Sequence, residues 1–203
     1  YRVWSALDGE LPSDLNECDA WLITGSRHDA YSDIPWILAL RDWIRRAHDA
    51  NVKLAGICFG HQVIAQALGG EVVKSTKGWG LGVSVHPMQE AKPWMQPGLE
   101  TIRILASHQD QVAQLPPGAT LLAGNDFCPN FMFLQGDHIV AIQGHPEFSV
   151  EYNRALIERR RDRLPDEHYQ SSLSSLEGEV DSATMMQWLL QFLGMLPVGP
   201  AVR

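Results

Sequence analysis

Between Lys53 and Gly70 the chain reads KLAGICFGHQVIAQALGG, and this stretch leaves few folds open. VKLAGI is an apolar run of strand length. HQVIAQALGG places Val63, Ile64, Ala67 and Leu68 on one helical face and stops at Gly69 and Gly70. A buried strand must therefore turn into a helix at Cys58. In an open α/β sheet such a turn lies at the carboxyl end of a parallel strand, where these sheets carry their sites. Gly56 and Gly60 bracket Cys58 two residues to either side, as a tight strand-to-helix elbow requires. The amino-terminal dipole of the following helix favours the thiolate, and the Phe59 N–H would face an oxyanion at any carbon the sulfur attacked.

The flanking segments extend the same pattern. DAWLITGS (Asp19 to Ser26) reads as a strand entering a loop, and IPWILALRDWIRRAHDAN repeats Ile37, Leu40, Ile44 and Ala47 at helical spacing behind Pro35. Strand, helix, strand, helix predicts an open, mostly parallel sheet flanked by helices, a flavodoxin-like three-layer α/β sandwich. Beyond Gly70, EVVKS, WGLGVSVHPM and TIRILASH read as short strands. NFMFLQGDHIVAIQGHPE reads as a hairpin turning near Gly136-Asp137. Two helices, about Val150 to Leu164 and Asp181 to Leu193, are expected at the end, joined by the polar PDEHYQSSLSSLEGE. With neither repeats nor a dividing linker, residues 1–203 are expected to form one domain.

Composition narrows the function. Sixteen basic against twenty-four acidic residues argue against a general nucleic-acid surface, and RRRDR at Arg159 to Arg163 reads as a solvated helix face. Cys18, Cys58 and Cys128 are too few for a disulfide framework and form no Cys-x-x-Cys pair, so neither a zinc site nor a secreted scaffold is implied. Cys18 and Cys128 read as small buried apolar residues. No metal cluster and no phosphate-binding Gly-rich loop appear, hence no cofactor is expected. No apolar run reaches membrane-spanning length, and a reducing, cytoplasmic setting is the expectation.

A nucleophilic sulfur needs a base, and the base an orienting group. IQGHPEFS sets His145 just past the apolar run HIVAI, and Pro146 forces it into an extended conformation. Residues two apart in an extended chain point the same way, so Glu147 can hold the imidazole. On chemistry alone His28, His61, His86, His108 and His138 remain rivals of His145.

These residues resemble a known family, the class I (triad-type) glutamine amidotransferases. Gly56, Cys58, Gly60 and Gln62 match its Gly-x-Cys-x-Gly-x-Gln elbow, and Gly144 to Glu147 its Gly-His-Pro-Glu motif. ITGSRHDAYSDIPWI and SHQDQV are similar to stand-alone members related to GMP synthase. The resemblance implies hydrolysis of the glutamine side-chain amide. The catalytic residues would be Cys58, His145 and Glu147, working through a γ-glutamyl thioester. It implies an oxyanion hole from Phe59 with Gly25 and Ser26, and substrate contacts from Gln62, Gly60, Ser107, His108 and Gln109. Members open with a strand and helix that have no counterpart ahead of this start. Either about forty residues, roughly one βα unit, precede it or the fold is abbreviated. The loop here reads Gly-Ser-Arg where many members have Gly-Gly-Pro or Asn-Gly-Pro.

Four functions stay open at this level. The first is a stand-alone glutaminase that passes ammonia to an acceptor, where the partner would be a synthetase. The second is a γ-glutamyl peptidase or hydrolase using the same triad on a larger amide. The others are a non-catalytic binding relative and a Cys-His hydrolase for an unrelated substrate. Trp36, Trp43, Trp79 and Trp94 are candidate pocket walls. Trp36 and Trp43 fit a core or an interface better, while KGWGLG places Trp79 on a glycine-bracketed loop.

Overall fold

In the computed structural model, which describes residues 1–199, three of the five strands of the central sheet are apolar along their whole length, and the other two carry one polar residue each. A sheet covered on both faces has this composition. The strands are β1 (Trp21–Ile23), β2 (Leu54–Ile57), β7 (Ala119–Ala123), β8 (Met132–Gln135) and β9 (Ile139–Ile142), in the order β1-β2-β9-β8-β7. The pairs β1–β2 and β2–β9 are parallel, and β8 runs antiparallel to both of its neighbours. The expected open, mostly parallel sheet is present, with β8 reversed by the hairpin at Gly136-Asp137. The last four residues of the expected 1–203 domain lie outside the described residues.

Alternation divides the core into two layers. Leu54, Ile139, Ala141 and Phe133 face α1 (Pro35–Asp49) and α2 (Phe59–Ala67), where Ile37, Ile44, Val63 and Ile64 are fully buried. Ala55, Ile57, Val140 and Ile142 face the opposite way. They meet Ile102 and Ile104 together with Met185, Trp188 and Phe192 of α5 (Ser182–Phe192). Pro35 is the first residue of α1, and Ile37, Leu40, Ile44 and Ala47 are all buried, as their spacing predicts.

Two ribbons stand beside the sheet. β3 (Glu71–Lys74) pairs with β6 (Asp110–Gln114), and β4 (Gly80–Pro87) pairs with β5 (Thr101–His108). β6 and β7 carry too little apolar alternation to be read as strands in advance. The carboxyl-terminal part differs from expectation as well. α3 (Val150–Glu158) ends before the basic run, and the polar connector contains a helix, α4 (Asp166–Ser175). Asp166 and Glu167 in its first turn suit the helix dipole. It has only Ser172 fully buried, which hides any apolar stripe. The basic run is solvated as expected, with Arg159, Arg161, Asp162 and Arg163 exposed, but residues Arg161–Arg163 form one 3-10 turn and not a face of α3. Arg160 lies 4.4 Å over the Trp79 ring, while Arg161 lies over Tyr169 and pairs with Asp166 at 2.5 Å.

Candidate active site

Cys58 has φ 52° and ψ −100°, in the region that favours glycine, so the elbow is held under backbone strain. Surrounding backbone enforces it. The Cys58 N–H donates to Ile142 O at 2.9 Å, and Cys58 O accepts from Gln62 N at 3.0 Å. A Cβ on Gly60 would stand 2.2 Å from Ile23 O, and one on Gly56 2.5 Å from Ile64 Cδ1 and 2.7 Å from the Gly60 carbonyl. Both glycines are there because strand, turn and helix meet without room for a side chain. Phe59, as first residue of α2, has no carbonyl within the helix to receive its N–H.

β9 delivers the second component. Its chain leaves the sheet at Ile142, and the His145 N–H donates to Leu105 O at 2.8 Å, fastening the segment to β5. His145 Nδ1 and Glu147 Oε1 lie 2.7 Å apart. Phe148 stacks on the imidazole at 3.9 Å between centroids, 7° from parallel. Burial works to lower the His145 pKa. The Cys58 sulfur and the Glu147 carboxylate, as hydrogen-bond acceptors and as negative charges, outweigh it and raise the value to about 9. The imidazole and the thiol share one wall: a Cβ at Gly25 would stand 3.1 Å from His145 Cε1 and 3.8 Å from Cys58 Cβ.

The loop after β1 carries Gly25 to this wall, with Ser26 next to it and exposed. Ser26 Oγ is 3.2 Å from His28 Nδ1, and the His28 ring meets Trp36 edge-on. Trp36 in turn packs on Phe59, whereas Trp43 is core, its Nε1 donating to Pro12 O at 3.2 Å. Arg41, buried on α1, anchors the loop by donating to Ala30 O at 3.1 Å and Ser32 O at 3.3 Å.

Gln62, expected at the substrate, is 4% exposed, and its Nε2 donates to Asp110 O at 2.9 Å and Gln143 Oε1 at 3.0 Å. Gly60 is likewise enclosed, against Ile23. Gln143 is a site residue that the motifs do not mark. Fully buried, it turns its own Nε2 toward the Cys58 sulfur at 3.6 Å. The alternation that links His145 to Glu147 extends back to Gln143 and is the signal that finds it. Ser107 and Gln109 are half-buried at the end of β5. Between them His108 is buried, its Nδ1 3.2 Å from Asp110 O, and burial above all lowers its pKa to about 4, with help from the His145 charge.

The rival histidines lie elsewhere. His61 Nε2 is 2.9 Å from Asn130 O, and His86 stacks on Phe131; burial holds both near a pKa of about 3. His138 is 2.9 Å from His48. Cys128 is buried, with its thiol pushed up to about 12 by desolvation, while Cys18 is half-buried rather than core. Trp94 packs on Phe192 of α5 and not on this wall. Among the described residues no group of three or more His, Cys, Asp or Glu could hold a metal, and no helix is long and apolar enough to cross a membrane.

Known proteins match this chain in sequence and in fold. Gamma-glutamyl peptidase 4 of Arabidopsis thaliana is 41% identical over 75% of this chain and 64% of its own. Gamma-glutamyl peptidase 3 of the same plant is 34% identical over 78% and 67%. The chain thus spans about two thirds of the length of these relatives. A glutamine amidotransferase from Thermotoga maritima superposes with a TM-score of 0.74 at 22% identity, over 92% of this chain and 83% of that one, and shows the fold. The model of glutamine amidotransferase class-I matches residues 11–161, a span that runs from ahead of β1 past the end of α3. By that match the chain belongs to the class-I glutamine amidotransferase family.

Proposed function

We propose that this protein hydrolyses γ-glutamyl amides through a thioester on Cys58, with a γ-glutamyl peptide as the preferred substrate. The observation that carries the reading is the strained elbow sulfur facing an imidazole whose far nitrogen sits 2.7 Å from a carboxylate. A nucleophile, a base and an orienting group in this relation form a catalytic triad. The Cys58 thiolate attacks the γ-carbonyl carbon, and the Phe59 and Ser26 amides receive the oxyanion. His145 gives its proton to the amide nitrogen as the C–N bond breaks, releasing the amine. Water then attacks the thioester carbonyl while His145 takes a proton from it. The C–S bond breaks, leaving a free γ-carboxylate and the thiolate.

The names of the two plant relatives, γ-glutamyl peptidases, support the reading that a peptide is the substrate in preference to glutamine. A second reading, glutamine hydrolysis that supplies ammonia to a synthetase, is supported by another relative. That protein, from the glutamine-hydrolyzing GMP synthase of Thermococcus kodakarensis, is 38% identical over 48% of this chain and 52% of its own. Steady-state rates separate the two. Peptides cleaved well and glutamine turned over no faster than by Cys58→Ala supports the first reading; the reverse order overturns it. A glutamine-derived diazoketone should add its mass to the peptide containing Cys58. Absence of that adduct, with no turnover, would leave a non-catalytic binding role.

A further inference from the structure

Gln143 is fully buried on the segment that leads from β9 to His145, and its Nε2 lies 3.6 Å from the Cys58 sulfur, within hydrogen-bond reach of that larger atom. Its main chain is fixed as well, the Gln143 N–H donating to Phe131 O at 2.8 Å. A glutamine amide has a donor end and an acceptor end of almost the same shape. Which end meets the sulfur decides the effect. An N–H stabilises a thiolate, whereas an oxygen repels one.

The neighbours fix the orientation. Asp110 O is a main-chain carbonyl and can only accept, so the Gln62 group 2.9 Å from it is the NH2. The second proton of that NH2 points at Gln143, 3.0 Å away, which must present its oxygen there. The end left over, toward Cys58, is a donor. Turning the Gln62 amide would set its oxygen against Asp110 O, and turning Gln143 would set two NH2 groups face to face. Gln62 is 4% exposed and Gln143 0%, so bulk water cannot repair either clash.

The titratable groups around this chain of amides come from four elements. His145 and Glu147 follow β9, with the imidazole donating to the sulfur. His61 of α2, beside Gln143, is held neutral by burial, and so is His108 of β5. Cys128 keeps its proton, and β6 contributes the Asp110 carbonyl.

We propose that Gln143 is a catalytic residue whose Nε2–H holds the Cys58 thiolate as a second donor beside His145, and that Gln62 is a positioning residue that keeps the Gln143 amide in its donating orientation. The inference rests on the reading above only for Cys58 as the nucleophile, and it gives the glutamine of the elbow motif a task away from substrate. As the sulfur bonds to carbon, its charge passes to the carbonyl oxygen. When the thioester breaks, the electron pair of the C–S bond returns to sulfur, and the Gln143 N–H receives it.

The test follows the rate of iodoacetamide alkylation at Cys58 across pH, read by the mass of its peptide, with melting curves on the full chain. Gln143→Met keeps the length of the side chain and removes the donor. It should slow alkylation about tenfold on the acid limb, as loss of one charge-assisted hydrogen bond does, and leave the alkaline rate unchanged, where the thiolate forms without help. Gln62→Met should move the acid limb the same way by less, because the Gln143 amide can then turn. In the unmodified protein, the side-chain amide resonances of Gln143 should shift along that limb and cease to shift in Cys58→Ala. An acid limb unmoved in Gln143→Met, or a loss of equal size at every pH, overturns the proposal. So does an amide resonance indifferent to the limb, a readout that stands even where neither methionine variant folds. The expected alkylation profile in a protein that turns over neither glutamine nor a γ-glutamyl peptide supports the amide's hold on the sulfur and sinks the thioester reading instead.

Discussion

The elbow is built from backbone without free space, whereas the β4–α4 face is built from side chains around an opening. At the elbow, Gly56 and Gly60 admit no Cβ, and Cys58 is held at positive φ between β2 and α2. Between β4 and α4, serines and the Trp79 ring leave about 240 Å³ unfilled. The difference is one of precision. Attack on a carbonyl needs positions fixed within a fraction of an ångström, and packed backbone supplies that. A face of side chains around an opening carries no such constraint on position.

Replacing Cys58 by Ala should have the largest effect and reduce amine release to background, on the order of 10⁴-fold or more. The same site tests the strain. Cys58→Gly should melt above Cys58→Ala, by about 1 kcal/mol, reversing the usual advantage of alanine because φ 52° costs any residue with a Cβ. Next comes Glu147→Gln, expected to lower kcat by about 10²-fold through loss of the group that orients and charges the imidazole. It should also move the alkaline limb of the pH profile downward, since Glu147 is one of the groups raising His145 to about 9. The sign for stability follows. A folded-state value above the ordinary 6.5 contributes in full below that pH, and the contribution is lost as pH rises through about 9.

Gly60→Ala should cost several kcal/mol, more than about 3, because its Cβ would meet Ile23 O and neither backbone can yield. A melt showing less than about 1 kcal/mol lost would mean the elbow is looser than its geometry implies. The smallest effect is expected at Cys128. Buried and with its thiol near 12, it should resist alkylation in the native state, and Cys128→Ala should leave turnover almost unchanged.

The elbow, β9 and the His145–Glu147 pair were legible because each rests on a local rule: glycines at a bend, a proline fixing its predecessor, alternation in an extended segment. The parallel pairing of β1 with β2 followed from the alternation of strand and helix, whereas no local signal set β9 beside β2. What stayed hidden depends on contacts between distant segments. α4 buries too little to show an amphipathic stripe, and Arg160 finds Trp79 only after the chain has folded back on β4. Gln62 reads as a residue for substrate, and its partners Asp110 and Gln143 lie 48 and 81 positions away. No local pattern reports that its amide is already engaged.

Those two partners of Gln62 tie α2 to parts of the molecule that also share its core, Val72 and Val112 of the ribbon packing with Val63 and Ile64. Asp110 opens β6, in a ribbon outside the central sheet, and Gln143 leans on the sulfur. The nucleophile is thus seated by a relay of amides, Asp110 O to Gln62 to Gln143 to sulfur, so a change in either glutamine side chain reaches Cys58 without touching the backbone that carries it.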